Sequence, residues 1–324
     1  MRAMTRKCLF GLTAVVLFLG GVGLALAGII VAWGDNSYGV VSGVPSYTDF
    51  VQVAGNSLAA AGLRSNGSIV VWGNNGYGQI SNAPAGTGYV SVAGDGFTFL
   101  ALRSNGSIVV WGGAIQSMFT NIPTDSGFVS VAGNSYNGIA VHSDGSLAVW
   151  GDDSYGQVTD APTGTGFVKA VTSGDPYTTY PGFLTLRSDG SLYGWNLAWG
   201  PPAGIGTGFV DIAASSWGGL ALRSDGSIKA WGTDNWGQVS NAPKGTGFKA
   251  ISMNYLNGMA LHSDGSVAVW GYNGQHTVKV KGKNVVQYGP SLISLAPTGS
   301  GFTSLGETGD DDPGAGVGLA IHGP

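Results

Sequence analysis

The sequence holds one cysteine, Cys8, and one glutamate, Glu307. Only 10% of its 324 residues are charged. A lone cysteine excludes an internal disulfide, and so few Glu and Lys residues argue against a helical or α/β chain, whose exposed helix faces are built from them. Catalytic signatures are missing too. There is no Gly-x-Ser-x-Gly elbow, no His-Glu-x-x-His and no Gly-x-x-x-x-Gly-Lys-Ser. A hydrolase or lyase is therefore the weakest reading, and the chain is read as a non-enzyme. Clustered basic charge is scarce. Of 14 basic residues, Arg2, Arg6 and Lys7 lie in the first 27, which leaves 11 against 18 acidic ones. That balance disfavours nucleic acid and anionic membrane surfaces as partners.

What is present falls into two parts. Residues 1–27 run from a basic start (Arg2, Arg6, Lys7) through an apolar stretch to Ala25-Leu26-Ala27. That order reads as a signal peptide with a small-x-small cleavage site, placing the chain in the periplasm or outside the cell; an uncleaved anchor is the alternative. Cleavage after Ala27 removes Cys8 and with it any thiolate site.

Residues 28–324 are repetitive. Trp-Gly occurs at Trp33, Trp72, Trp111, Trp150, Trp231 and Trp270, and Trp195-Asn196 takes a seventh place. Ahead of six of these tryptophans stands Asn-Gly or Asp-Gly, at Asn66, Asn105, Asp144, Asp189, Asp225 and Asp264. Such a pair between apolar runs is a strong hairpin signal. One unit then reads as four strands, for instance 89–93, 99–103, 108–111 and a short fourth strand such as Gln79-Ile80-Ser81. In strand two bulky residues flank a small one, as in Leu100-Ala101-Leu102 and Met259-Ala260-Leu261, which suits a sheet buried on both faces. The C-terminal 318–324 matches strand two and the start at 28–34 matches strand three. The expectation is a single seven-bladed β-propeller of four-stranded antiparallel blades, closed by N- and C-terminal strands sharing one blade.

The run Leu222–Gln238, Leu-Arg-Ser-Asp-Gly-Ser-Ile-x-x-Trp-Gly-x-x-x-x-Gly-Gln, resembles repeats of the regulator of chromosome condensation family. The short period is similar to a compact bacterial branch that includes a secreted seven-bladed inhibitor of β-lactamase. The resemblance implies a propeller that binds partners through loops on one face. It carries over no catalytic residue.

Antiparallel order puts the one-to-two and three-to-four loops on one face. Those loops supply Tyr77, Phe97, Tyr136, Tyr155, Tyr177, Tyr180, Trp217, Trp236 and Tyr255, interspersed with Asn and Asp such as Asn134, Asp153, Asp234 and Asn254. Rigid aromatics among short polar groups make recognition surfaces. Tyr38, Tyr77, Tyr155 and Trp236 recur at one repeat position, which local packing also explains. Phe97, Tyr136, Trp217 and Tyr255 vary in type and place, which points to binding. The opposite face carries Arg64, Arg103, His142, Arg187, Arg223, His262 and His322, expected to be hydrogen-bonding forks beside turn carboxylates and carbonyls.

Three places break the rhythm: a longer loop at 175–181 with a cropped fourth strand around Trp199; an insertion read as a hairpin, 277–281 and 284–286 around Gly282-Lys283; and an acidic loop from Glu307 to Asp312. Calcium at Asp310, Asp311 and Asp312 is the one metal option, although no Asp-x-Asp-x-Asp-Gly loop occurs, and no other cofactor is expected. Asn66-Gly-Ser and Asn105-Gly-Ser fit the glycosylation pattern but are hairpin turns. The expected partner is an extracellular or periplasmic protein bound by a monomer, alternatively a polysaccharide.

Overall fold

The computed structural model describes residues 28–56, 58–113, 120–173, 181–272, 275–280, 283–288, 293, 296–306 and 317–323. Among them there is no helix. Seven three-stranded antiparallel sheets and one separate hairpin account for the regular structure.

Each sheet is a blade with an inner, a middle and an outer strand. Blade 1 is Phe50–Gly55, Ala59–Arg64 and Ile69–Gly73; blade 2 is Tyr89–Asp95, Thr98–Arg103 and Ile108–Gly112; blade 3 is Phe128–Gly133, Asn137–His142 and Leu147–Gly151. Blade 4 is Phe167–Ser173, Gly182–Arg187 and Leu192–Trp195; blade 5 is Phe209–Ser215, Gly218–Arg223 and Ile228–Gly232; blade 6 is Phe248–Met253, Asn257–His262 and Val267–Gly271. Blade 7 joins the two ends of the chain. Phe302–Leu305 pairs with Val317–His322, which pairs with Ile29–Gly34 in the register Ala32 to Leu319 and Ile30 to Ile321.

The alternation in the middle strands sets the packing between blades. The bulky side chains of one blade lie on the small residue of the next: Leu100 and Leu102 on Ala140, Leu184 and Leu186 on Ala221, Leu220 and Leu222 on Ala260, Met259 and Leu261 on Ala320. Blade 7 continues the rule into blade 1, with Leu319 and Ile321 against Ala60. Each buried Leu or Ile contributes about 1.5 to 3 kcal/mol of hydrophobic stabilisation.

Two polar latches fasten neighbouring blades, one at each face. At the turn face, the carbonyl of the Asp-Gly or Asn-Gly glycine accepts the first inner-strand N–H of the next blade, as in Gly145 to Phe167 at 3.0 Å and Gly265 to Phe302 at 3.0 Å. At the opposite face the outer-strand tryptophan donates its indole N–H back to a loop carbonyl of the preceding blade. Trp72 reaches Val40, Trp111 reaches Gln79, Trp195 reaches Gln157, Trp231 reaches Trp199 and Trp270 reaches Gln238, at 2.8 to 3.1 Å.

Three expectations are corrected. The fourth strand is absent from the described segments: residues 78–83 form turns instead, with Asn82 N–H donating to the Gly78 carbonyl, as do 39–43, 156–160 and 237–241. The cause is local. The side-chain oxygen of Asn36, Asn75, Asp153 or Asp234 accepts two N–H groups five and six residues on, which curls the segment away from the sheet edge. The closing blade therefore takes one strand from the N-terminal side, not two. The inserted hairpin is longer than expected, Gln275–Val280 with Lys283–Tyr288, and pairs Val280 with Lys283, so Lys283 belongs to a strand rather than the turn.

Inner strands carry a bulge after their first aromatic residue. The residue past the bulge lines a central channel. Around the ring this position holds Gln52, Ser91, Ser130, Lys169, Asp211 and Ser304, with Ala250 in blade 6.

Candidate binding face

The loops that leave the inner strands and those that follow the outer strands lie at one end of the disc. The Gly-Gln pair in the second set has a clear physical task. Gln79, Gln157 and Gln238 are buried, and each side-chain oxygen accepts the backbone N–H of the aromatic two residues earlier, at 2.9, 2.8 and 2.9 Å. The glutamine thus fixes the backbone of Tyr77, Tyr155 and Trp236. Their rings remain 43%, 53% and 43% exposed.

Aromatic rings on these loops meet across blade boundaries. Tyr77 of blade 1 packs on Phe97 of blade 2, with centroids 4.8 Å apart. Trp217 of blade 5 meets Tyr255 of blade 6 edge to face at 5.7 Å and 86°. Trp236 meets Tyr272 at 4.9 Å and 84°. Tyr272 was not singled out from the sequence, because it stands at the repeat position filled by Asn74, Asp152 and Thr233 in other blades. Tyr136 is half-buried in the blade 3 loop, its N–H donated to Asn134 at 2.9 Å. The indole N–H of Trp217 is buried without a partner among the described residues. Trp199 in the cropped blade 4 lends its carbonyl to Trp231 and leaves its ring exposed. Tyr177, Tyr180, Asp310, Asp311 and Asp312 lie outside the described residues.

The short polar residues singled out with the aromatics brace their own loops. Asn134 and Asn254 are buried, and each side-chain oxygen takes two backbone N–H groups of its own loop. Asp153 and Asp234 are spent as turn caps. The N–H of Thr159, then that of Val158, holds the Asp153 carboxyl below its ordinary range; the N–H of Ser240, then Val239, does the same for Asp234. Polar side chains on this face brace loops, and the aromatics project from the braced frame.

The basic ring on the opposite face makes the expected polar contacts, His142 with Asp125 at 2.8 Å, His262 with Asp264 at 3.3 Å, and Arg223 donating to the Ile205 carbonyl at 3.2 Å, and a ring contact adds to them. Register places each basic residue opposite the first inner-strand aromatic, as Tyr89 opposite Arg103 and Phe128 opposite His142. The guanidinium lies over that ring in Arg103, Arg187 and Arg223, at 4.9, 4.5 and 4.9 Å. The imidazoles of His142, His262 and His322 pack on Phe128, Phe248 and Phe302. Arg64 departs from the pattern. It lies over Tyr47 at 4.0 Å and pairs with Asp49 at 2.8 Å, and that hydrogen bond lowers the Asp49 carboxyl. Among the described residues no three His, Cys, Asp or Glu side chains cluster to hold a metal ion.

Comparison with known proteins agrees with this architecture. The sequence profile of the regulator of chromosome condensation (RCC1) repeat matches residues 50–79. No curated protein matches the chain by sequence. Among solved structures, yeast (Saccharomyces cerevisiae) Prp20p superposes with a TM-score of 0.63 at 15% identity, covering 91% of this chain and 92% of that one. Human WBSCR16 does so at 0.65 and 14%, covering 92% and 99%. The ectodomain of the Arabidopsis thaliana receptor kinase ACR4 gives 0.62 and 21%, covering 76% and 87%. At these identities the likeness is one of fold. The chain thus matches the RCC1 repeat over blade 1 and shares its fold with RCC1 propellers.

Proposed function

We propose that this chain is an exported propeller that grips a protein partner through its aromatic loop face. The observation that carries the reading is the set of aromatic pairs straddling blade boundaries, Tyr77 with Phe97 and Trp217 with Tyr255, on loops braced by side-chain hydrogen bonds to their own backbone. Such a frame presents large apolar area with little entropy left to lose on binding. Relatives of the same fold support protein recognition: one structure concerns the binding of Prp20p to Gsp1p and histones, and another shows it bound to Kap60. ACR4 places a propeller in a receptor ectodomain. Export rests on the basic, apolar and small-residue order of residues 1–27. We assign no catalysis.

The full chain, tagged at its C-terminus and expressed in its host, tests this. Mass spectrometry of the exported form should find Gly28 as the first residue; an intact cytoplasmic chain overturns export. Affinity capture should return a defined protein that Trp217→Ala releases. Retention on polysaccharide without any protein replaces the reading with a carbohydrate-binding one.

A further inference from the structure

The central channel is a second site, independent of the aromatic face. It encloses about 370 Å3, at the small end of ligand cavities. Its lining reaches the turn face at Arg103, Ser104, Asn105, Gly127 and Ser143. The chemistry inside comes from one position per blade, the residue past the bulge. The positions around it repeat, with an aromatic residue two places before and an aliphatic one immediately after, because the core between blades demands them. This position varies from blade to blade and is polar in all but blade 6. Repeat packing does not dictate it.

The charges in the ring cancel. Lys169 of blade 4 pairs with Asp211 of blade 5, whose side chain is 7% exposed. The Asp211 Oδ1 atom accepts both Lys169 Nζ and the N–H of Ile212, while Oδ2 takes no hydrogen bond from a described residue. Gln52 is occupied as well, exchanging two hydrogen bonds with the Val92 backbone at 2.9 and 3.0 Å. The hydroxyls of Ser91 and Ser130 line the channel with no hydrogen-bond partner among the described residues. The channel thus offers two hydroxyls that donate or accept and a carboxylate oxygen that accepts, between apolar walls of Val51, Val90 and Val129.

We infer that the channel binds a small, neutral, polyhydroxylated molecule, of the size of a pentitol or a monosaccharide. Neutrality follows from the internal Lys169–Asp211 pair, since an anion drawing Lys169 away would leave the buried Asp211 carboxylate without it. Hydroxyl groups follow from Ser91, Ser130 and Asp211 Oδ2, which need a ligand able both to donate and to accept.

Saturation-transfer NMR and calorimetry on the full chain, with glycerol, xylitol and glucose as probes, test this. At least one probe should bind with a Kd in the millimolar range or below. Ser91→Val with Ser130→Val should weaken it about tenfold while the melting curve stays unchanged. Ser130→Leu, which fills the channel, should abolish it. Trp217→Ala should leave it intact, whereas it releases the protein partner, so the two sites fail separately. The inference is overturned if none of the probes binds at about 20 mM, if binding survives both serine variants, if it is lost in Trp217→Ala, or if acetate or methylammonium binds equally well.

Discussion

The indole N–H of Trp270 donates to the backbone carbonyl of Gln238 in the preceding blade, 2.9 Å away. The same bond recurs around the disc wherever a loop carbonyl is in reach. It is missing at Trp33, whose indole N–H is buried without a partner among the described residues. The loop that would supply its acceptor is the one carrying the inserted hairpin. Trp270→Phe and Trp33→Phe both shrink a buried ring, but only the first orphans a carbonyl. Trp270→Phe should therefore be the more destabilising by about 1 to 2 kcal/mol in urea titration. Equal losses would show that the indole bond adds nothing to packing.

The turn-face latch makes a sharper demand on glycine. Gly145 has φ +82°, and a Cβ there would sit 2.6 Å from the backbone nitrogen of Gly166 in the next blade. Nearby Gly164 has φ +98° with nothing within 4 Å of the same added atom. Gly164→Ala should cost only the left-handed backbone penalty, about 1 to 2 kcal/mol. Gly145→Ala should cost clearly more, because neither backbone can move without opening the bond between Gly145 and Phe167. Chemical denaturation of the two variants decides it, and equal costs would remove the latch from the account.

Acid should loosen the molecule through its turns. The carboxyls of Asp144, Asp189, Asp225 and Asp264 are held below their ordinary range, first by the hydroxyls of Ser146, Ser191, Ser227 and Ser266 and then by the N–H groups of those serines. A depressed carboxyl stabilises the fold at pH above the unfolded value of about 3.9, and that contribution is lost as pH falls through the lower folded value. The melting temperature should be level above about pH 5 and decline below about pH 4. Asp144→Asn reproduces the turns already present at Asn66 and Asn105, and it should make the acid decline shallower. A decline of unchanged steepness would place the sensitivity elsewhere, with Asp49 beside Arg64 the next group to test.

Much of this was legible in the sequence, and the limits have physical causes. Trp-Gly spacing, Asp-Gly turns and the Leu-Ala-Leu alternation fix sheets buried on both faces, and 318–322 completing 29–34 gives the shared blade. The supposed fourth strand was misread because Gln79-Ile80-Ser81 alternates like a strand, while the competing caps from Asn75 depend on side-chain geometry. The same blindness affected Asn134 and Asn254: an exposed recognition residue and a buried loop brace have identical one-letter codes. The basic ring was read as structural forks, and Arg64 with Asp49 and His142 with Asp125 form them, but its stacking on Tyr89 or Phe167 depends on cross-strand register. The channel ring went unnoticed because Gln52, Ser91, Lys169 and Asp211 share no residue type. Only the bulge aligns them.

The aromatic face yields the most direct test of function. Trp217 and Tyr255 come from different blades and meet edge to face, so truncating either removes a ring and loosens its neighbour. Both stand on loops outside the clusters that hold the blades together. Trp217→Ala and Tyr255→Ala should each leave cooperative unfolding in place and weaken partner binding by about 2 kcal/mol or more, as central aromatic anchors do. Their effects should fall short of additive in the double variant, because the rings support one another. Tyr155→Ala, whose exposed ring stands on blade 3 away from that pair, should cost less than about 1 kcal/mol. Surface-based binding kinetics with the captured partner measure all four variants, with the change expected mainly in the off-rate. Full affinity in the Trp217 and Tyr255 variants would move the site off blades 5 and 6.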